Sequence, residues 1–312
     1  MFNTPILFLV FNRPDTTVRV FEQIRKIKPA YLYVAADGPR ESKPVEKDIC
    51  DKVRSVVLSQ IDWKCEIKTL FRDENLGCGK AVSEAITWFF ENVEEGIILE
   101  DDCLPDLSFF HYCEVMLNRY RDNKTVMHVG GDNFQFGRRR GKGDYYFSTL
   151  GHVWGWATWR RAWIKYQFDV SKAEPIKEQS YKHAFNNNTL FIDYYKDIFC
   201  KIANQSIDTW DYQWMYTLIK NDALSICPNV NLVQNIGFGK DATHTSQETE
   251  WNRKNISCPL NSFRAPAVLE INYKADEFLL RDIFGLGKYR RRVSVNSIRT
   301  ILQKIRIILR IK

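Results

Sequence analysis

Three consecutive acids, Glu100, Asp101 and Asp102, follow a short apolar run at residues 97–99. Such a run is typical of a fully buried strand, and open α/β sheets bind ligands at the carboxyl ends of their strands. Because burying a lone carboxylate costs several kcal/mol, these side chains need partners or solvent. Carboxylates at a strand end suit Mg²⁺ or Mn²⁺, which is held by one or two carboxylates together with substrate phosphates. The plainer alternative is an acidic turn in which Asp106 caps the next helix.

Two other apolar runs also end in polar residues. The run at 5–11 leads into Asn12 and Arg13, and the run at 31–36 leads into Asp37. Parallel strands joined by right-handed crossovers place their carboxyl ends at one edge of a sheet. We therefore expect these side chains to lie close to the three acids, and this convergence predicts a nucleotide site.

The apolar patterns of the first half predict an α/β fold. Apolar runs alternate with helical spacing, which indicates strands near 5–11, 31–36, 65–71 and from 97, with helices near 15–27, 44–60, 80–92 and 106–121. This order is the signature of a mostly parallel central sheet flanked by helices.

A glycine-containing loop, Asn75 to Lys80, precedes the third helix. Gly77, Gly79 and Lys80 at a helix start are residues that can approach a phosphate, although Gly-x-Gly before a helix is also an ordinary turn. The chain contains no Walker motif and no GxGxxG, which argues against P-loop and dinucleotide-binding folds.

Four of the nine tryptophans lie within residues 151–163. Trp159 and Trp163 fit one helical face and are expected in the core. Trp154 and Trp156 flank Gly155, and rings on such a loop either stack on sugar faces or pack in the core.

A helical region is predicted over about 174–221, followed by a strand at 228–233. Within the helical region, Asp208 is a plausible N-cap, which leaves Asp211 in the first turn of the same helix. An acid is favourable there without any function.

The composition indicates a globular protein. The chain has 312 residues, of which 45% are hydrophobic and 14% aromatic, enough for one large α/β domain or two modest ones. Its eight cysteines show no CxxC pair, so we expect buried reduced thiols rather than zinc or disulfides. The apolar stretch at 5–11 is too short to span a bilayer and does not resemble a signal peptide.

Positive charge is concentrated at the C-terminus. The formal net charge is +7, yet residues 288–312 carry nine Lys or Arg and no acid, so the rest is slightly negative. The main body is therefore not a nucleic-acid binder by charge. Apolar residues recur at three- and four-residue intervals over 298–312, which predicts a basic amphipathic helix on an anionic membrane surface. The alternative is a helix that docks on the rest of the protein or pairs with another subunit.

Several segments together resemble a glycosyltransferase family. Residues 10–14 (VFNRP), 36–39 (ADGP), 75–77 (NLG) and 99–102 (LEDD) look like those of a GT-A glycosyltransferase. The chain resembles the N-acetylglucosaminyltransferase I family in particular, because that family has Glu-Asp-Asp in place of Asp-x-Asp, followed by an Asp and paired Phe residues. The likeness continues in order through 151–163, 210–215 and 237–244.

The resemblance assigns roles to residues of this chain. It implies that Arg13 and Asp37 hold the nucleotide, that Glu100 and Asp101 lie beside the ribose and base, and that Asp102 ligates Mn²⁺ or Mg²⁺. The other nucleotide-sugar-binding residues would be Asn75, Gly77 and Lys80, and the sugar-binding residues would be Trp154, Gly155, Trp156 and His244.

The family's catalytic base is an Asp directly before a Trp-Met pair. Here Gln213 occupies that position, and Asp211 lies two residues earlier. Asp211 is therefore the predicted base, with Asp208 in reserve.

The implied function is a metal-dependent, inverting transfer from a nucleotide-diphosphate sugar, UDP-linked and with UDP-N-acetylglucosamine as one candidate. The acceptor would be a glycan or a lipid-linked glycan in polysaccharide biosynthesis, at the cytosolic face of the cell membrane. A GT-A-like domain would span 1–270, with a nucleotide-binding half (1–125), an acceptor half (126–270) and a basic tail (271–312). The alternatives are a sugar nucleotidyltransferase and a non-catalytic carbohydrate-binding or surface-interaction protein.

Overall fold

A computed structural model describes residues 2–237 and 256–288. The first half alternates strands and helices as the apolar pattern predicts. Its elements are β1 (Ile6–Val10), α1 (Pro14–Ile27), β2 (Tyr31–Ala36), α2 (Glu46–Ser59), β3 (Glu66–Phe71), α3 (Cys78–Asn92), β4 (Glu95–Glu100), β5 (Cys103–Pro105) and α4 (Leu107–Tyr120). Asp106 caps α4, since its carboxylate accepts a hydrogen bond from the Ser108 backbone N–H at 2.8 Å.

The second half is less regular. Its elements are β6 (Val126–Gly130), β7 (Tyr145–Ser148), β8 (Trp156–Trp159), α5 (Arg160–Trp163), α6 (Glu178–Ala184), α7 (Thr189–Ala203), α8 (Asp211–Lys220), β9 (Leu224–Pro228), β10 (Val233–Asn235) and α9 (Tyr273–Phe278), which continues into a π-helical turn over Leu279–Ile283.

Two predictions for this half need correction. The helical region predicted over 174–221 contains α6, α7 and α8, whereas the strand predicted at 228–233 is instead two strands on either side of a turn. Trp159 lies in β8 rather than on a helix, although its side chain is buried as expected.

One eight-stranded sheet runs through both halves, in the order β3-β2-β1-β4-β8-β6-β9-β7. The first four strands are mutually parallel, β8 is antiparallel to both of its neighbours, and β9 is parallel to β6. The predicted mostly parallel sheet with flanking helices is confirmed. Strands β5 and β10 form a separate antiparallel pair beside the acids.

Alternation along β1 shows how the core is divided. Ile6, Phe8 and Val10 pack on one face of the sheet with α1, α2 and α4, whereas Leu7 and Leu9 pack on the other with α3 and the helices of the second half. The central strands are therefore buried on both faces, which explains why β1 and β4 contain continuous apolar runs, whereas the edge strand β3 is largely exposed.

Near the C-terminus of the described residues, α9 is bonded to β7. The buried Asp276 carboxylate accepts hydrogen bonds from the Ser148 hydroxyl at 2.5 Å and the Thr149 N–H at 2.9 Å. Its pKa is raised to about 7, because burial disfavours the charged form.

Two predicted features, His244 and the amphipathic helix at 298–312, lie outside the described residues. Across the described part of the chain, no helix has the length and apolarity needed to cross a bilayer.

Candidate functional site

A cavity of about 400 Å³ opens at the carboxyl ends of β1, β2 and β4. Apolar residues of these strands and of α3 form its floor, and charged and polar residues form its rim. Of the residues that the sequence singles out, those that line it are Asn12, Arg13, Asp37, Asn75, Gly77, Glu100, Asp101 and Asp208. The structure thus brings the three strand ends together with one residue of the second half.

Arg13 is the cation that faces the three acids. Its Nη1 lies 2.5 Å from Asp102 Oδ2 and 3.9 Å from Asp101 Oδ1. Asp101 also accepts a hydrogen bond from the Phe11 N–H at 3.1 Å, which fixes the carboxylate against the end of β1. Arg13 therefore partly compensates a crowded cluster of negative charge.

The crowding of negative charge affects the pKa values of Glu100 and Asp101. Both are raised, first because burial disfavours the carboxylate and second because Asp102 lies close by, while the charge on Arg13 opposes the shift. The charge on Asp211 also raises the pKa of Glu100, so the second half of the chain acts on the same cluster. Among the described residues that line the cavity, the four acids outnumber the three arginines.

Asp37 holds the loop after β3. Its carboxylate accepts hydrogen bonds from the Gly38 and Leu76 N–H groups, each at 3.0 Å, and from the Asn75 side-chain amide at 3.0 Å. Burial nevertheless raises its pKa above the ordinary value. Asp37 and Asn75 therefore shape one wall of the cavity by binding each other.

Glu46 is a site residue that the sequence reasoning missed. Its side chain is 3% exposed. It accepts hydrogen bonds from the Asn12 amide and the Arg40 N–H, each at 2.8 Å, and pairs with the Arg40 guanidinium. Mainly the Arg40 side chain lowers the pKa of Glu46 to about 2. Glu46 thus fixes two side chains that line the cavity, and no spacing in the sequence signals this, because its partners are distant or lie in a loop.

Asp208 does not cap the helix that follows it. The N-cap of α8 is Trp210, which provides no side-chain cap, and Asp211 is the first helical residue. Asp208 reaches instead to the start of α3, where its Oδ1 accepts a hydrogen bond from the Gly79 N–H at 3.2 Å. The predicted cap is therefore wrong, and the residue joins the second half to the cavity wall.

Asp211 is partly buried and is oriented by its neighbours. The Thr209 hydroxyl and the Tyr212 N–H, the latter at 2.9 Å, both donate hydrogen bonds to Oδ1. Gln213, which occupies the position of the family's base, is buried and its amide donates to the Thr209 carbonyl at 2.7 Å. Two donors on one oxygen fix the orientation of the Asp211 carboxylate, and a general base must be held in a defined position.

The two loop tryptophans have different environments. Trp156 is 1% exposed and stacks between His128 and Trp210, with ring centroids 5.2 and 5.7 Å away. Neither face of its ring is open, so the structure contradicts a role in stacking on a sugar. Trp154 is partly exposed and packs edge-on against Phe134. Gly155 separates them with φ +67°, a conformation that favours glycine.

Lys80 stays outside the cavity. Its side chain is exposed on α3, and its Nζ lies 3.7 Å from Glu84 one turn later. The structure therefore gives it a surface contact rather than a place in the cavity wall.

The donor set at Asp102 fits a hard cation shared with a phosphate. In the described part of the chain, no group of three or more His, Cys, Asp or Glu side chains is arranged to enclose a metal. Among the described residues, the hydrogen bonds to Asp102 Oδ1 are long, 3.4 Å from the Asn235 amide and 3.5 Å from the Cys103 thiol. A single carboxylate with one weakly bonded oxygen matches the way Mg²⁺ and Mn²⁺ bind together with phosphates.

No protein-family model and no curated protein sequence matches this chain. The fold is similar to HddC from Yersinia pseudotuberculosis, with 10% identity over 52% of this chain and 80% of that one and a TM-score of 0.35. Mouse xyloside xylosyltransferase 1 in its apo form is 11% identical over 70% of this chain and 82% of that one, with a TM-score of 0.34. A putative glucose-1-phosphate thymidylyltransferase from Bacillus anthracis is 7% identical over 55% of this chain and 76% of that one, with a TM-score of 0.34. At these scores the similarities carry no argument about the activity of this chain.

Proposed function

We propose that this protein is a metal-dependent, inverting glycosyltransferase that uses a nucleotide-diphosphate sugar, UDP-linked and with UDP-N-acetylglucosamine as one candidate. Its acceptor would be a glycan or a lipid-linked glycan. The observation that carries the proposal is that both halves of the chain bring carboxylates to one cavity, the first through the acids after β4 and the second through the loop before α8. An inverting transfer needs donor binding on one side and a single base on the other.

The charged side chains take distinct roles in this scheme. Arg13 faces the negative charge of the diphosphate, and Asp102 would hold the divalent cation together with phosphate oxygens. When bound, such a cation stabilises the charge that develops on the departing diphosphate.

Asp211 takes the proton of the acceptor hydroxyl, whose oxygen forms a bond to the anomeric carbon as the bond from that carbon to the diphosphate breaks. The Thr209 hydroxyl keeps the Asp211 carboxylate oriented. No protein nucleophile is needed, because inversion is a single displacement.

Calorimetry with UDP tests the donor site. We expect UDP to bind tightly only with Mn²⁺ or Mg²⁺ present, and Asp102→Ala to remove this dependence. Since Asp102 is a partly exposed residue at a strand end, the variant should keep its fold, which circular dichroism would verify. Asp73→Ala is the matched control, because Asp73 is an exposed acid that follows β3 outside the cavity. Equal UDP affinity of the wild type with metal and with chelator would contradict the assigned metal role.

A further inference from the structure

Gly77 and Gly79, at the start of α3, have no side chain at the place where residues 208–209 of the second half pack against them. A Cβ atom at Gly79 would lie 2.4 Å from Asp208 Oδ1 and 2.9 Å from the Thr209 carbonyl oxygen. At Gly77, where φ is +80°, a Cβ would lie 3.1 Å from Asp208 Oδ2. The loop that the sequence offers to a phosphate is therefore already packed against a carboxylate of the second half.

Asp208 takes the place that an anion favours. The start of a helix carries a partial positive charge and unpaired N–H groups, which attract phosphates and carboxylates alike. Asp208 places a carboxylate at the start of α3, through its hydrogen bond to the Gly79 N–H. It also lines the cavity, so its charge acts on whatever the cavity holds.

The position of Asp208 relative to Asp211 decides which part of a ligand it meets. This step rests on the proposed function, in which Asp211 is the base. The anomeric carbon must then lie between the diphosphate and the segment 208–211, which carries both acids at the start of α8. In a nucleotide sugar the group beyond the second phosphate is an uncharged sugar, whereas in a nucleoside triphosphate it is a charged phosphoryl group.

We propose that Asp208 is a specificity-determining residue that excludes nucleoside triphosphates from the cavity. Its carboxylate repels a third phosphoryl group and occupies the helix start that would otherwise bind it. The cavity then accepts nucleoside diphosphates and their sugar esters. The glycine-containing loop at residues 75–80 thus helps to distinguish diphosphates from triphosphates and does not itself bind a phosphate.

The test is calorimetry with matched pairs of nucleotides: UDP and UTP, GDP and GTP, CDP and CTP, and dTDP and dTTP. Each is titrated with excess Mg²⁺ and again with chelator, because the triphosphates bind the cation more strongly. We expect the wild type to bind one diphosphate at least tenfold more tightly than its triphosphate. In Asp208→Asn, which keeps an acceptor for the Gly79 N–H but loses the charge, triphosphate affinity should rise about tenfold while diphosphate affinity changes less than threefold.

Two further variants make the result specific. Asp208→Ser also removes the charge while retaining a side chain that can cap a helix, and it replaces Asp208→Asn if that variant does not fold. Asp193→Asn, which removes the same charge from the exposed surface of α7, should alter neither affinity. Unchanged discrimination in both Asp208 variants, or equal wild-type affinity for both members of a pair, would overturn this inference alone. A wild type that binds no nucleotide of any pair would overturn the proposed function with it.

Discussion

The cavity edge and the aromatic cluster around His128 use polar side chains in opposite ways. At the cavity, Glu100, Asp101 and Asp102 lie around one arginine of the described structure, with Asp101 buried and the other two acids partly exposed. In the aromatic cluster, His128 is fully buried among Trp156 and Trp214 and is uncharged, since burial lowers its pKa to about 3. Both regions belong to the same sheet.

The hydrogen bonds of His128 explain why it is a core residue. Its Nδ1 accepts from the Trp214 indole N–H at 3.1 Å, so Nε2 carries the ring proton and donates to the His152 carbonyl at 2.8 Å. Both ring nitrogens are satisfied inside the protein, and none is left for a ligand. A chemically versatile residue type therefore indicates a site only where the fold leaves some of its bonding capacity unused.

The largest expected effect is at the proposed base. Asp211→Asn keeps the shape of the side chain and still accepts from Thr209, but it cannot take a proton. We expect sugar transfer to fall by about 10²–10⁴-fold, the usual size of general-base catalysis, with donor affinity nearly unchanged. A panel of nucleotide sugars, assayed for transfer and hydrolysis, provides the measurement. If Asp208→Asn loses transfer while Asp211→Asn retains it, the reserve residue is the base.

In the aromatic cluster, the expected effect is on stability rather than on binding. Trp156→Ala should lower the free energy of unfolding by about 3–5 kcal/mol, because it empties the centre of a packed group of rings. In the described structure the Trp156 indole N–H is buried without a hydrogen-bond partner, so this loss reflects packing alone. Denaturant unfolding measures it, with Trp154→Ala as the control at a partly exposed ring. A loss of nucleotide affinity in folded Trp156→Ala protein would contradict the separation of the two regions.

The smallest effect concerns pH. Because the pKa of His128 is lower in the folded protein than its ordinary value near 6.5, the unfolded chain binds more protons between about pH 6.5 and 3. This group stabilises the fold fully above pH 6.5 and loses about 1.4 kcal/mol per pH unit below it. Between pH 7 and pH 5, the free energy of unfolding should therefore fall more steeply with decreasing pH for the wild type than for His128→Asn. The exposed His183→Asn is the control, and equal slopes for wild type and His128→Asn would refute the effect.

The sequence predicted the first half of the molecule well for a physical reason. Strands β1, β2 and β4 are buried on both faces and the helices pack with one apolar side, so apolar runs and helical spacing directly report the structure. The position of Asp37 and Glu100 at one edge then follows from the handedness of parallel crossovers.

The second half could not be predicted in the same way. Trp156 and Trp210 are neighbours in the core although 54 positions separate them in the sequence, and no local pattern encodes that pairing. The same is true of Asp208, which caps a helix 129 positions away instead of its own. Local propensity predicts a cap wherever an acid precedes a helix, but tertiary packing decides which helix start that acid reaches.

The place of β8 in the sheet has a consequence for how the chain is made. It covers the free edge of β4, the apolar strand that leads to the acids, yet it follows β4 by more than fifty residues. Until residue 159 has left the ribosome, a nascent chain therefore presents an unpaired strand edge around Ile97 and Ile98. Unpaired strand edges promote pairing with other chains and aggregation. A fragment that ends near residue 125 keeps this edge permanently open, so the first half of the chain depends on the second half to cover it.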